Sequence, residues 1–150
     1  IFFIGLFVVI SGLQRSGVLD LLAQGIGKVS GSNVHLMIAI ILFGSAVASA
    51  FIDNIPYVAT MLPVVQGIAA LMNNGAGMAP EVFYFGLLTG ATLGGNLTPI
   101  GASANIAAIG ILRKNGETVR TADFLRIGVP FTLAAVLTGS VYLWLVWGKV

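Results

Sequence analysis

Long apolar segments separated by short polar breaks run through the whole chain. A helix needs about 20 predominantly apolar residues to cross a bilayer, and several of these segments approach or exceed that length. The apolar segments are residues 1–13, 34–52, 55–72, 82–112 and 127–147. The pattern predicts an all-α, multi-pass membrane protein, in which 1–13 is the end of one transmembrane helix and 127–147 is the last transmembrane helix.

The first break places an acid, an amide and a proline together, in the stretch Asp53-Asn54-Ile55-Pro56. One interpretation makes 34–72 a re-entrant hairpin with its tip at 53–56. The other makes the break a polar turn at the surface between two spanning helices, since each flank is long enough to cross. Both interpretations stay open at this point.

The second break lies inside the uncharged segment 82–112, at "GGNLTPIGASAN". Pro99 cannot donate a backbone hydrogen bond, and its ring clashes with the carbonyl four residues back. Gly95 and Gly101 allow the backbone to leave helical angles. The segment is also longer than one crossing requires. A discontinuous helix is therefore expected.

We predict two half-helices, at about 82–95 and 103–112, joined by an unwound segment at mid-membrane depth. Ser103 is a suitable N-cap for the second half, because a serine hydroxyl can accept a backbone N–H at a helix start. The alternative is a proline-kinked helix that binds no ligand.

The two breaks contain the same residue types. These are the amides Asn54 and Asn96, the prolines Pro56 and Pro99, and the hydroxyls Thr60 and Thr98. Irregular backbone inside a bilayer is tolerated only where protein or a water-filled cavity surrounds it. Paired interrupted helices are typical of secondary transporters, where freed carbonyls attract cations and half-helix N-termini attract anions. The breaks are therefore the candidate binding site.

Composition supports a membrane protein and excludes several function classes. The chain is 57% hydrophobic and 8% charged, with a net charge of +2, whereas a soluble domain is about a quarter charged. The small net charge and scattered basic residues give no nucleic-acid signal. The absence of cysteine excludes disulfides and thiolate metal sites from this chain. The apolar start has no charged leader, so we expect the chain to be part of a longer membrane protein.

The polar segments between the helices have less specific patterns. Residues 14–33 space leucine, valine and isoleucine three to four apart, which suits an amphipathic helix lying in the membrane interface; a connecting loop is the alternative. Residues 73–80 form a Gly/Pro/Asn turn. Residues 113–126 are the most charged stretch and are expected to be a loop in water. Tyr142 and Trp144 suit an interfacial aromatic belt.

Taken together, "DNIPYVATMLPVV" and "GGNLTPIGASANIAAIGI" resemble the C-terminal half of the ion transporter superfamily. The branch that they resemble comprises arsenite permeases, sodium/proton antiporters and P protein-like proteins, which share a citrate transporter-like domain. The resemblance implies inverted repeats, each with a re-entrant hairpin and a broken helix. It also implies a homodimer, an inverted repeat upstream of this chain, an elevator-like movement and no organic cofactor.

The resemblance also implies a set of ion- and substrate-binding residues. They are Asp53, Asn54, Thr60, Asn96, Thr98, Ser103 and Asn105, with 14–33 as an interfacial arm. Dicarboxylate transporters of this group carry Ser-Asn-Thr at the tip, where this chain has Asp53-Asn54-Ile55. A fixed negative charge repels a di- or tricarboxylate and suits Na⁺ or a proton. Asp53 is therefore the candidate Na⁺ ligand, among hard oxygen donors.

These observations favour a Na⁺- or H⁺-coupled transporter of a small inorganic ion in the plasma or inner membrane. The cargo is left open between Na⁺/H⁺ exchange and efflux of arsenite or a similar anion, with a citrate-like symporter as the alternative. An intramembrane aspartyl protease requires two carboxylates at one site, and this chain offers only Asp53; HExxH is also absent. A structural membrane subunit without cargo is the remaining class.

Basic residues set the predicted orientation, because cytoplasmic loops carry an excess of lysine and arginine. Segment 113–126 contains Arg113, Lys114, Arg120 and Arg126. The polar segments on the opposite side share Arg15, Lys28 and Lys149. We therefore predict that 113–126 is cytoplasmic and that the Asp53 break belongs to a segment entering from outside.

This orientation is tested by placing a single cysteine at Asn115 in the full-length protein. A membrane-impermeant thiol reagent should leave it unlabelled in intact cells and label it after permeabilisation. Labelling from outside would reverse the orientation.

Overall fold

The computed structural model describes residues 2–31, 33–72 and 81–147, and within these residues the chain is helical without strands. The helices are α1 (Phe2–Arg15), α2 (Val18–Ser30), α3 (Val34–Ser49), α4 (Asn54–Met72), α5 (Glu81–Gly94), α6 (Ser103–Lys114) and α7 (Thr121–Trp147). The all-α prediction is confirmed. The predicted turn at 73–80 lies outside the described residues.

Helix ends coincide with the two sequence breaks. Helix α3 ends at Ser49 and α4 begins at Asn54, so the chain leaves helical geometry just before the polar group of the first break. Helix α5 ends at Gly94 and α6 begins at Ser103, which agrees with the predicted half-helices to within about two residues. The unwound segment contains Pro99 and its neighbouring glycine, as their backbone chemistry requires.

The structure decides between the two interpretations of one polar stretch and differs from the prediction in another. Residues 14–33 are not a connecting loop, because α2 occupies Val18–Ser30. The stretch 113–126 is not a loop throughout, because α6 extends to Lys114 and α7 starts at Thr121. Arg113 and Lys114 lie in the last turn of α6, and Asp123 lies in the first turn of α7, so these charges favour the ends of the two helix dipoles.

Helices α3 and α5 pack closely and in parallel. A Cβ on Gly90 would overlap the carbonyl of Leu42, and a Cβ on Gly94 would overlap that of Ala46, so only glycine allows the backbones to approach this far. Both contacts advance in the same direction along the two helices. Gly90 and Gly94 therefore form the packing surface of α5, and this contact places the C-terminal ends of α3 and α5 side by side.

The buried core extends from this pair to α2 and α4. Met37 and Ile41 of α3 share one cluster with Phe83 and Leu87 of α5. Leu19 and Ala23, on the apolar face of α2, join the same cluster through Val64, Val65 and Ile68 of α4. The predicted amphipathic helix therefore buries one side against this chain, at Leu19 and Ala23, while Leu21 and Val29 stay exposed.

Much of the remaining surface is apolar. Ile4 is 70% exposed and Ile127 is 74% exposed, and many large apolar side chains on α1 and α7 are similarly uncovered. Within the described residues, Thr121–Trp147 is the helix that is long and apolar enough to cross a membrane by length and composition. Exposed apolar area of this extent requires lipid or protein to cover it.

The close α3–α5 contact yields a prediction about stability. Gly90→Ala should lower the free energy of unfolding by about 1–3 kcal/mol, because the added methyl group forces two packed backbones apart. Gly44→Ala, on the open side of α3, is the matched control, since nothing lies within 4 Å of a Cβ at that position. Thermal unfolding of the purified full-length protein measures both. Equal stability of the two variants would show that the approach is not tight.

Candidate functional site

The two breaks meet at one place, which we call the break junction and define as residues 49–54 together with 95–105. The Thr98 hydroxyl, which is buried, donates a hydrogen bond to the carbonyl oxygen of Ala50. A Cβ on Gly101 would be 2.8 Å from the same carbonyl oxygen and 3.0 Å from that of Ser49. The unwound segment therefore lies directly on the end of α3.

Asp53 connects the start of α4 to the start of α6. Its backbone carbonyl accepts the first helical hydrogen bond of α4, from the N–H of Tyr57 at 3.2 Å. Its Oδ1 faces the N–H of Ile55 at 3.4 Å, and its Oδ2 accepts the N–H of Ser103 at 2.9 Å. Two helix N-termini, each with a partial positive charge, therefore face one carboxylate.

Asp53 also takes the role that the sequence analysis gave to Ser103. The residue before α6 is Ala102, which has no side chain to cap the helix, and the Ser103 hydroxyl is exposed on the first helical residue. The prediction that Ser103 caps its own helix is therefore wrong. A carboxylate from the other break supplies the missing acceptor, and Ser103 contributes its backbone N–H.

Asn54 fills the centre of the junction. Its Oδ1 accepts the Ser49 hydroxyl at 2.5 Å. A Cβ on Gly95 would be 2.6 Å from the same oxygen, which is closer than real atoms approach. The absence of a side chain at Gly95 therefore leaves space for the Asn54 amide.

Asn105 holds the unwound segment from the other side. Its Nδ2 donates to the carbonyl oxygen of Gly95 at 3.0 Å and to that of Thr98 at 3.1 Å. These carbonyls lack the helical partners that a continuous helix would provide, because the backbone has unwound and Pro99 has no N–H. The side-chain amide replaces those bonds and leaves its own oxygen directed elsewhere as an acceptor.

Two of the candidate residues lie apart from this hydrogen-bonded cluster. The Thr60 hydroxyl donates to the Pro56 carbonyl at 2.8 Å, inside the first turns of α4. The Asn96 amide donates to the Thr92 carbonyl at 3.5 Å and lines a cavity beside α7. Asp53, Asn54, Thr98, Asn105 and the Ser103 backbone each make a hydrogen bond within the break junction, in three separate groups. The side chains of Thr60 and Asn96 instead bond to the carbonyl one turn back in the chain.

The sequence analysis missed three residues that support the junction. Ser45 and Ser49 are almost completely buried in α3, and the Tyr57 hydroxyl donates to Ser45 Oγ at 3.1 Å. Their spacing was the available signal, because Ser45, Ser49 and Asp53 follow each other at intervals of one helical turn in an otherwise apolar segment.

The break junction presents one carboxylate together with neutral oxygen atoms. The described residues contain no group of three or more histidine, cysteine or acidic side chains that could hold a metal. Asp53 supplies one carboxylate, and the neighbouring acceptors are neutral amide, hydroxyl and carbonyl oxygens. Neutral oxygens around one negative charge are the donors that hard cations prefer.

Comparison with known proteins connects this arrangement to transporters. The uncharacterized transporter MT2759 of Mycobacterium tuberculosis (strain CDC 1551 / Oshkosh) is 41% identical over 145 residues, which is 97% of this chain and 33% of that protein. The uncharacterized transporter slr0753 of Synechocystis is 34% identical over 97% of this chain and 35% of that protein. The chain thus spans about a third of the length of these curated relatives.

The human P protein is 36% identical over 148 residues, which is 95% of this chain and 17% of the P protein. A family model described as "Citrate transporter" matches residues 1–90. The resemblance noted from the two breaks is confirmed by these matches. With the family model matching more than half of its length, the chain belongs to the citrate transporter family.

Proposed function

We propose that this chain is the C-terminal part of a secondary active transporter that uses Na⁺ or H⁺ as its coupling ion, with Asp53 as the residue that binds it. One observation carries the proposal: the Asp53 carboxylate joins the two interrupted segments by accepting the N–H of Ser103 at 2.9 Å. An ionised carboxylate in a bilayer costs about 2.5–3.5 kcal/mol at a helix centre. Asparagine could make the same bond without that cost.

The bond offers a physical route from ion binding to movement. A proton or Na⁺ bound to the carboxylate offsets its negative charge, so the charge-assisted hydrogen bond from the Ser103 N–H becomes an ordinary, weaker one. Ion binding would therefore loosen the connection between the start of α4 and the start of α6. Because Na⁺ and H⁺ compete for one group, an exchange of the two ions needs no second acid.

The proposed cargo is a small inorganic ion, moved by Na⁺/H⁺ exchange or by efflux of an oxyanion such as arsenite. The charge of Asp53 supports this choice, because it repels multiply charged carboxylates. The proposed assembly is a homodimer in the plasma or inner membrane, in which an upstream inverted repeat supplies the second hairpin.

A citrate-like symporter is the second candidate. The family description points to citrate, and one geometric feature favours it: two helix N-termini already accommodate a carboxylate at Asp53. Full-length protein in sealed vesicles would distinguish the cargoes, with Na⁺, arsenite and citrate offered separately under a Na⁺ or pH gradient. Citrate uptake without inorganic-ion transport would replace the first proposal by the second.

Asp53→Asn should abolish coupled transport while leaving the protein folded in the membrane. Asparagine keeps an oxygen that can accept the Ser103 N–H, so the junction persists, but the charge that binds the ion is removed. Asp20→Asn is the matched control, because Asp20 is an exposed carboxylate on α2. Transport is measured in vesicles as a function of pH and Na⁺.

An Asp53→Asn protein with unchanged rate and unchanged pH and Na⁺ dependence would make the carboxylate structural. If instead the unaltered protein moves none of the cargoes offered, a structural membrane subunit is favoured. The same experiment therefore separates the transport proposal from the class without cargo.

A second prediction concerns the amide that supports the unwound segment. Asn105→Ala leaves the Gly95 carbonyl without its donor, at about 1–3 kcal/mol, while the Thr98 carbonyl keeps the N–H of Gly101 at 3.3 Å. We expect KM for transport to rise roughly tenfold as the junction loses its shape. Asn115→Ala is the matched control, because Asn115 donates to the Ile111 carbonyl at the exposed end of α6. An equal effect of both changes would contradict the role of Asn105.

A further inference from the structure

Tyr57 contacts the break junction through its backbone and α3 through its side chain. Its N–H donates to the Asp53 carbonyl at 3.2 Å, which is the first helical bond of α4. Its ring packs against the buried cluster that includes residues of α3 and α5, and its hydroxyl donates to Ser45 Oγ at 3.1 Å. One residue therefore connects the backbone of the proposed ion ligand to a helix that is itself fixed in the core.

Ser45 gives that bond a rigid partner. It is 1% exposed, and a Cβ on Gly90 of α5 would be 2.9 Å from the Ser45 Cβ, so Ser45 lies in the close contact between α3 and α5. A serine in a helix can donate to the carbonyl one turn back, as Ser30 does to Ile26 at 2.9 Å. Among the described residues, the Ser45 side chain bonds instead to Tyr57 alone.

Among the described residues, two side-chain hydrogen bonds join α3 to the start of α4, and together they set its direction. The Ser49 hydroxyl donates to the Asn54 amide oxygen at 2.5 Å, and one turn earlier on α3 Ser45 accepts the Tyr57 hydroxyl. A single bond at Asn54 would leave α4 free to pivot about that point, whereas the second bond fixes the angle. Because Asp53 directly precedes this turn, the angle decides where its carboxylate lies relative to α6.

We propose that Tyr57 is a positioning residue, whose hydroxyl bond to Ser45 holds the Asp53 carboxylate within reach of the Ser103 N–H. The contacts run from α5 to Ser45, from Ser45 to the Tyr57 hydroxyl, and from the Tyr57 backbone to Asp53. The Tyr57 hydroxyl bonds to none of the proposed ion ligands, so it acts only through Asp53. The positioning itself does not require transport, whereas its effect on ion binding rests on the proposed function.

Amide hydrogen exchange at Ser103 tests this role in the purified full-length protein, by mass spectrometry with residue-resolving fragmentation. Asp53→Ala removes the acceptor and gives the exchange rate of a Ser103 amide without its bond. Tyr57→Phe removes only the hydroxyl and should raise exchange at Ser103 roughly tenfold, because a mobile carboxylate holds the N–H for less of the time. Tyr142→Phe is the matched control and should leave that rate unchanged, since Tyr142 is 61% exposed on α7.

Ser45→Ala shows whether the bond itself is responsible. If it is, Ser45→Ala raises exchange at Ser103 as much as Tyr57→Phe does, and the double variant raises it no further. Exchange within α7 should stay slow in all three variants. Unchanged exchange at Ser103 in Tyr57→Phe or in Asp53→Ala overturns the positioning role. Equal acceleration at Ser103 and throughout α7 also overturns it, because the hydroxyl then stabilises the fold as a whole.

The proposed function adds a second measurement with a definite sign. Ion binding weakens the bond from the Ser103 N–H, so by linkage a variant that already weakens this bond should bind the coupling ion more tightly. In vesicles, Tyr57→Phe should lower the apparent KM for the coupling ion several-fold, whereas a mere loss of folded protein lowers the maximal rate and leaves KM unchanged. Faster exchange at Ser103 with an unchanged KM supports the positioning role and counts against the proposed function, so the two can fail separately.

Discussion

Every backbone group that is released where a helix breaks must find a partner inside the protein, and the structure at Asp53 depends on this constraint. Lipid offers no hydrogen bonds. The Thr98 hydroxyl therefore donates to a carbonyl at the end of α3, and the Asn105 amide donates to two carbonyls of the unwound segment. The Asp53 carboxylate accepts a backbone N–H at the start of α6. The residues that form the candidate binding site are thus the ones that make irregular backbone tolerable. The same polar atoms therefore belong to the candidate binding site and stabilise the fold.

The position of the breaks could be predicted from the sequence because proline and glycine act locally. Pro99 stands among glycines in a segment longer than one crossing needs, and the bounds of α5 and α6 agree closely with the break predicted there. Proline alone is not sufficient, since Pro63 lies inside α4 and Pro130 inside α7. The partners across the breaks were not predictable in the same way. The cap of α6 comes from Asp53, which is 50 residues away along the chain, and only the packing of α3 on α5 brings it there. Ser103 looked sufficient because its own hydroxyl is a local acceptor.

Residue type alone was also a poor guide to which hydroxyls belong to the site. Thr60 and Thr98 are both threonines of the two breaks, so residue type does not distinguish them. A helical hydroxyl can donate to the carbonyl one turn back, and the Thr60 hydroxyl donates in this way to Pro56. Ser45 and Ser49 look like ordinary small residues in an apolar helix, yet both are buried and tied to Tyr57 or Asn54. What separates these cases is the surrounding packing, which a single sequence does not contain. The charged residues at 121–126 led to the loop prediction for a similar reason, because charged side chains are common both in loops and at the starts of helices.

The parallel register of α3 and α5 has a consequence for how this protein can vary. Thr98 meets Ala50 across a separation of 48 residues, and the contacts of Gly90 with Leu42 and of Gly94 with Ala46 keep that same separation. The two helices therefore keep one constant register along their length, so that their C-terminal ends lie side by side. Inserting or deleting a single residue in one helix would move the end of that helix by the rotation and rise of one residue. The two helix ends would then no longer face each other. Length changes should accordingly be excluded from both helices, or occur in both at once, while the connections outside them are free to lengthen.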